Sequence, residues 1–467
     1  MRRSWLVVGV GVALVGPALA ETTPASAFAP QDRWFEIVGP AGQRIGYQHE
    51  VVRAVPGGFE RERLRVLSYR IDGHPKTRVS NLLVRRYDPL GRLLSFHAER
   101  LSGKSKLVAD GTLQGGQAAI RRSLAGKVQT RTVNWPETLN LGDALASEQQ
   151  AGTTAELSAS GLRYDLREVD IGFAGDNGGR PRLSRVGDRL YSFDYLRPDG
   201  TIVIPKVGYA LQMRPLAQPL DPAAKVPVAA LAHEMKVSPF YVSDGALRGH
   251  IRYRFGFLYG LGWPIPYTGE QSVRVDGSAM VVDICPTCGP NLPSDPASLA
   301  HARQASAWIE SNDPLFRRLA AQAPKTGSDA ARMAALGTIA RNRMQGIDYE
   351  GHISALAAWR RGSGDCTEDA VVLAALARAA GIPARMASGL VYSRSRYHGA
   401  ANAFLPHSWV VAWTDGRWRS YDISLNAFDA SHIALSLGDG EPGAITEATV
   451  LAALLDWQAM TEIRKRD

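Results

Sequence analysis

The chain has 467 residues, 45% of them apolar, enough for roughly two to four domains with real cores. A net charge of +9 with a pI near 9.5 gives some attraction to acidic surfaces such as envelope polymers. That charge is spread along the chain. The one basic run, Arg464-Lys465-Arg466, is a solvated tail, and no nucleic-acid-binding module is present.

Residues 1–20 read as a secretory signal peptide. Arg2-Arg3 supply the basic start, the apolar run that follows is too short to anchor, and Ala18-Leu19-Ala20 offers a cleavage site. Arg2-Arg3 lacks the surroundings of a twin-arginine signal, and no cysteine follows the cleavage site to suggest a lipoprotein. No later stretch is long and apolar enough to span a bilayer. The expectation is an exported protein, periplasmic or secreted, with no transmembrane segment after cleavage near Ala20.

Residues 31–214 are expected to form an antiparallel β-rich domain. Trp34 to Val38 and Gln43 to His49 read as a hairpin over Pro40-Ala41-Gly42. Turns follow at Pro56-Gly57-Gly58, Asp72-Gly73, Asp88 to Gly91, Asp110-Gly111, Gly115-Gly116, Gly126 and Arg197 to Gly200. That spacing fits a meander without a fixed-period repeat. Residues 215–230 hold Pro215, Pro219, Pro222 and Pro227 and no strand pattern, the best linker candidate. A third β segment, 231–290, alternates cleanly from Leu247 to Phe255 and ends at Cys285-Pro286-Thr287-Cys288. Three readings of this pair stay open. Export favours a local disulfide. A redox motif lacks the strand-then-helix context, and zinc lacks further ligands at suitable spacing.

From Asp295-Pro296 the pattern turns helical, with helices near 296–311, 328–345 and 353–360. Arg361-Gly362-Ser363-Gly364-Asp365-Cys366 comes next, and the chain is organised around it. The glycines make a close approach, Asp365 is an N-cap, and good helix formers run on from Cys366. Gly381 stops that helix, with Arg378 near its negative end and Pro383 beyond. Cys366 thus sits at a helix N-terminus, where partial positive charge favours thiolate. A buried structural cysteine is the bland alternative.

His407 to Thr414, Asp415-Gly416 and Arg417 to Asp422 form a second signal, a two-residue hairpin. Thr414 then opposes Arg417, and His407 becomes the diagonal neighbour of Asp422, about 7–8 Å away and within side-chain reach. A cysteine at a helix start plus a His–Asp pair is the set of groups needed for nucleophilic acyl transfer.

The motifs resemble the transglutaminase-like superfamily: Gly364-Asp365-Cys366, Arg378 to Arg385 followed by Gly389, His407-Ser408-Trp409, and Tyr421-Asp422, in the family's chain order. The resemblance covers 295–440 and leaves 441–467 as a C-terminal segment. It implies an α+β, papain-like catalytic domain behind the β-rich front. Less specifically, the Trp34 hairpin is similar to the β-rich N-terminal regions of exported bacterial relatives. Residue by residue it implies Cys366 as nucleophile, His407 as base and acid, and Asp422 as orienting carboxylate. The implied activity is acyl transfer from a peptide or glutaminyl amide of a peptide or protein substrate, through a Cys366 thioester, to water or an amine. No cofactor or metal is called for. An inactive envelope scaffold of the same fold is the alternative.

Other residues near these motifs are read as supporting. Glu368 and Asp369 are read as helix-dipole partners rather than acid/base groups, Trp359 and Trp409 as core aromatics rather than oxyanion donors through an indole N–H, and the Cys366 N–H as an oxyanion donor. His398 lies in a polar loop that either rims a cleft or is simply solvated. His233, His301 and His352 show no metal spacing.

Overall fold

The computed structural model describes residues 29–464 except 40–41, 72–76, 103–104, 125–126, 135–152, 158–162, 169–179, 187–188, 208, 222–228, 232–235, 239–241, 325, 348–351, 396–400 and 426. Residues 1–20, expected as a signal peptide, the Pro40-Ala41, Asp72-Gly73 and Gly126 turns, residues 222–228 of the expected linker, His233 and His398 lie outside the described residues.

The front of the chain is one antiparallel meander, as its turn spacing predicts. Strands run in reverse chain order from Lys127–Asn134 at one edge to Gln31–Val38. Gln31–Val38 then pairs with Tyr209–Leu216, and the sheet continues to Thr153–Leu157 at the other edge. Positive φ at Gly115, Gly116 and Gly200 marks two of the expected turns. Asp110-Gly111 is not a turn. Both residues lie inside the strand Ser105–Gln114, and a Cβ on Gly111 would meet the Phe96 ring at 1.9 Å. Here glycine makes room for an aromatic neighbour, and Asp110 bonds His97 at 2.7 Å.

Behind the meander, Gln271–Asp276, Ala279–Ile284, Ile251–Phe257 and Leu455–Glu462 form a four-stranded sheet. The alternation from Leu247 is only partly strand, because Asp244–Arg248 is a short helix capped by Ser243. Cys285 and Cys288 form a disulfide at the end of this sheet.

The helical region differs from its expected outline in one place. Rather than one helix over 296–311, Pro296–His301 stops early, and a separate helix, Pro314–Ala320, follows. Between them Ser306 Oγ accepts from the N–H groups of Trp308 and Ile309, at 3.2 and 3.0 Å, holding a turn. Asp313 then caps the second helix with the same Asp-Pro signal that starts the first. Asp329–Arg343 and Ala355–Arg361 come next, then the cysteine helix, Cys366–Ala379. The cysteine helix is apolar nearly all round, and twelve of its fourteen residues are buried. It packs on Ala384–Ser393 and the histidine strand, Ala403–Thr414, which pair with each other. Ile433–Gly438 completes that sheet on one side, and Arg417–Tyr421 pairs with the far end of the histidine strand.

The two halves are tied together. Arg189 of the meander bonds Glu441, Glu447, Ser436 and the Leu437 carbonyl, all near the C-terminal helix Pro442–Leu454. Among the described residues no helix is long and apolar enough to cross a membrane.

Candidate active site

Gly362 has φ 74°, and Gly364 packs so closely on Glu368 that a Cβ there would lie 2.3 Å from the Glu368 Cβ. This tight path delivers Asp365 as N-cap, its carboxylate accepting from Thr367 N–H at 2.8 Å. Glu368 returns the bond, accepting from Asp365 N–H at 3.0 Å, so the two form a capping box. Glu368 is more than a dipole partner: fully buried, it also accepts from Ile353 N–H at 3.2 Å and faces His352 Nδ1 at 3.3 Å.

Cys366 is the free cysteine among the described residues, and it is buried. The Ser408 backbone N–H, next to His407, bonds its sulfur. Burial pushes the thiol well above its ordinary range, helped by the Asp365 carboxylate, and the Ser408 N–H opposes this only in part. The helix N-terminus alone argues for a resting thiolate; burial is the larger effect and argues for a resting thiol. Burial also lifts Asp365 to about 6, with Glu368 adding repulsion, and Asp369 to about 7 despite a bond from Ser424 Oγ at 2.6 Å.

The hairpin has its expected register. Thr414 opposes Arg417, and Asp415 and Gly416 both have positive φ, as a two-residue I′ loop requires. Just past the last pair, Val410 with Tyr421, Asp422 turns back onto His407, and Nε2 lies 2.7 Å from Oδ2. Both side chains are buried. Asp422 Oδ1 accepts from the Ser424 and Leu425 N–H groups at 2.8 and 3.1 Å. Burial by itself raises the Asp422 carboxyl; the two imidazoles on it outweigh that and hold it well below the usual carboxylate range.

The second imidazole belongs to His432, which the sequence reading missed. Its Nε2 lies 3.1 Å from the same Asp422 Oδ2, and its Nδ1 3.1 Å from Asp429 Oδ1. Burial lowers its pKa, and the bonds to Asp422 and Asp429 more than reverse this, raising it to about 9. Nothing in Ser431-His432-Ile433 marks the residue, because only chain packing brings it to the hairpin.

The other candidates fall out as follows. Trp409 is buried and donates its indole N–H to Ser420 Oγ at 3.2 Å, so that N–H is already engaged. Trp359 packs edge-on to Phe316 in the helical core. His352 stacks on Trp308 and bonds the Gly440 carbonyl at 2.7 Å; exposed His301 faces Asp439 at 3.5 Å. Buried Glu270 accepts from Ser420 N–H and Oγ at 2.8 and 2.7 Å, and burial raises its carboxyl.

Two described groups have ligand atoms close enough to one another to suggest a metal: His250 with Cys285 and Cys288, and His407 with Asp422 and His432. In the first the sulfurs are joined to each other, and bridged sulfurs are not thiolate ligands. In the second both Nε2 atoms sit at hydrogen-bond distance from one carboxylate oxygen, the geometry of donors on an acceptor. Neither set fits a bound ion.

Residues 317–423, which include Cys366, His407 and Asp422, match the family model of the transglutaminase-like superfamily. The chain carries a transglutaminase-like domain. No curated protein matches in sequence. Among solved structures, a candidate cysteine protease from Cytophaga hutchinsonii is similar at 14% identity and a TM-score of 0.27, over 46% of this chain and 84% of its own. A β-barrel-like protein of a domain of unknown function from Brucella abortus is similar at 10% identity and 0.29, over 42% and 99%. A candidate protease from Parabacteroides distasonis is similar at 11% identity and 0.19, over 72% and 68%. The transglutaminase-like domain of this chain therefore sits behind a meander that its family model does not reach.

Proposed function

We propose that the protein is an exported cysteine enzyme that transfers the acyl group of a peptide or glutaminyl amide through Cys366. The observation that carries this reading is the buried His407–Asp422 contact at 2.7 Å, with the N–H of Ser408, the next residue after His407, on the Cys366 sulfur. Asp422 accepts a hydrogen bond from the Nε2–H of His407, so Nδ1 is the nitrogen that exchanges a proton with the thiol. On attack, the proton passes to His407 and the sulfur bonds the amide carbonyl carbon. The Cys366 N–H, first in its helix, faces the developing oxyanion. His407 then protonates the leaving amine, a thioester remains, and water or an amine releases it.

Exposed substrate amides of peptides or proteins are the class this chemistry accepts, and acidic envelope polymers are the surface that a +9 chain favours. Export rests on residues 1–20. The proposed units are 31–214, a linker over 215–230, 231–290, the catalytic unit 295–440, and 441–467.

The test is a screen of γ-glutaminyl and short-peptide amides with and without an added amine, run beside iodoacetamide labelling of Cys366. Turnover lost in Cys366→Ala, and labelling slowed at least about tenfold in His407→Ala, are expected. No turnover, with labelling indifferent to His407, would leave an inactive scaffold.

A further inference from the structure

We propose that His432 is a positioning residue for the His407–Asp422 pair, fixing the carboxylate oxygen that His407 uses and setting how strongly Asp422 favours a charged His407. This rests on the triad reading above. Four observations carry it.

Both Nε2 atoms meet one oxygen, Asp422 Oδ2, at 2.7 Å for His407 and 3.1 Å for His432. A carboxylate with a single imidazole can swing about that contact; one held by two imidazoles and two backbone N–H groups cannot. The His432 ring is itself fixed, edge-on to Trp409 at 5.1 Å and tilted against Phe428 at 5.1 Å. Finally, the partners of His432 are mainly acceptors. Nε2 faces Asp422, and Nδ1 faces Asp429 Oδ1 and the Asp429 carbonyl, both at 3.1 Å. The Asp429 N–H, 3.2 Å from Nδ1, is the one donor in the set. Three oxygens against one donor favour a ring that donates from both nitrogens, an imidazolium.

The charged groups facing His432 are Asp422 from the hairpin end, Asp429 from the loop before it, His407 from the neighbouring strand, and Glu270. A cation whose ring centre is 6.0 Å from that of His407 opposes a second positive charge there. With His432 in place, Asp422 orients His407 while sharing its charge between two rings. Without His432, the whole field of Asp422 falls on His407.

The experiment reads protonation directly, by nitrogen-15 NMR of the histidine rings, and reactivity through the pH profile of Cys366 alkylation. In the full-length protein His432 should carry protons on both nitrogens at pH 7. His432→Gln removes the cation, so the inflection of the alkylation profile should move upward by about one pH unit, roughly tenfold in rate at a fixed acid pH. Because His432 is buried, Asp429→Asn is the second variant. It keeps the ring and an acceptor for it but removes the negative charge that favours an imidazolium, so His432 should be neutral at pH 8 and the profile should shift the same way. A neutral His432 at pH 7 in the unmodified protein would overturn the proposal. So would folded variants that alkylate more slowly with an unmoved profile, the mark of a merely structural role. Alkylation indifferent to His407→Ala would instead overturn the triad reading, while the NMR result on His432 would still stand.

Discussion

At the scale of single residues the proposed chemistry depends on three side chains whose losses should not add. Cys366→Ala and His407→Ala should each lower turnover by at least about 10³-fold, and the double variant should be hardly worse. Asp422→Asn should be milder, since it misorients the imidazole and fails to stabilise its charged form. Steady-state kinetics on whichever amide the screen returns would check the order, and a full-strength Asp422→Asn would contradict it. His432 adds a stability signature. Its folded pKa of about 9 lies above the ordinary value of 6.5, so its contribution is complete below about 6.5 and is lost as pH rises through 9. Melting temperature should therefore fall more between pH 7 and 10 in the natural protein than in His432→Gln. Parallel curves would deny that His432 is charged in the fold.

At the scale of elements, the start of the cysteine helix carries more negative charge than its dipole can use. Asp369 ionises near 7 rather than near 4, so the fold favours its protonated form, and that advantage disappears as pH rises from 4 through 7. Asp369→Asn keeps an acceptor for Ser424 Oγ and removes the charge. It should raise stability by on the order of 1–2 kcal/mol at pH 8 and by almost nothing at pH 4, as read by chemical denaturation at both pH values. Gly364 is the opposite case. A Cβ 2.3 Å from that of Glu368 must push the capping box open. Gly364→Ala should cost about 2 kcal/mol or more and disturb Cys366 alkylation with it. An alanine variant as stable and as reactive as the natural protein would show that the close approach is dispensable.

At the scale of the whole molecule, the disulfide turn helps hold the hairpin from behind. Gly289 N–H bonds the Gly269 carbonyl, Arg417 reaches the Gly289 carbonyl, and Glu270 between them holds Ser420. Opening so short a loop should cost only about 2 kcal/mol, because few chain conformations are restored. The double variant Cys285→Ser, Cys288→Ser should thus melt earlier yet alkylate Cys366 at an unchanged rate. A changed rate would mean that the turn sets the geometry of the pair. The last strand, Leu455–Glu462, closes the same sheet against Ile251–Phe257, so the final residues are part of the scaffold behind the site.

The sequence by itself determined the local pieces. Gly-Ser-Gly-Asp before a run of helix formers can do little except turn tightly and start a capped helix. Asp-Gly between alternating runs can do little except close a two-residue hairpin, and that register alone puts His407 beside Asp422. Alternation and turn residues likewise announced the meander. All of these are contacts between near neighbours, where side-chain period and backbone preference decide. Where glycine served packing rather than turning, at Gly111, the same local logic misread it, because the Phe96 ring it accommodates comes from another strand. The tertiary structure alone decided the rest: which groups meet across distance, and how much water they lose. It brought His432 onto Asp422 and Glu270 onto Ser420. By burying Cys366, it pushes up the thiol that a helix start alone would favour as thiolate. Desolvation depends on everything packed around a group, and no window of sequence contains that.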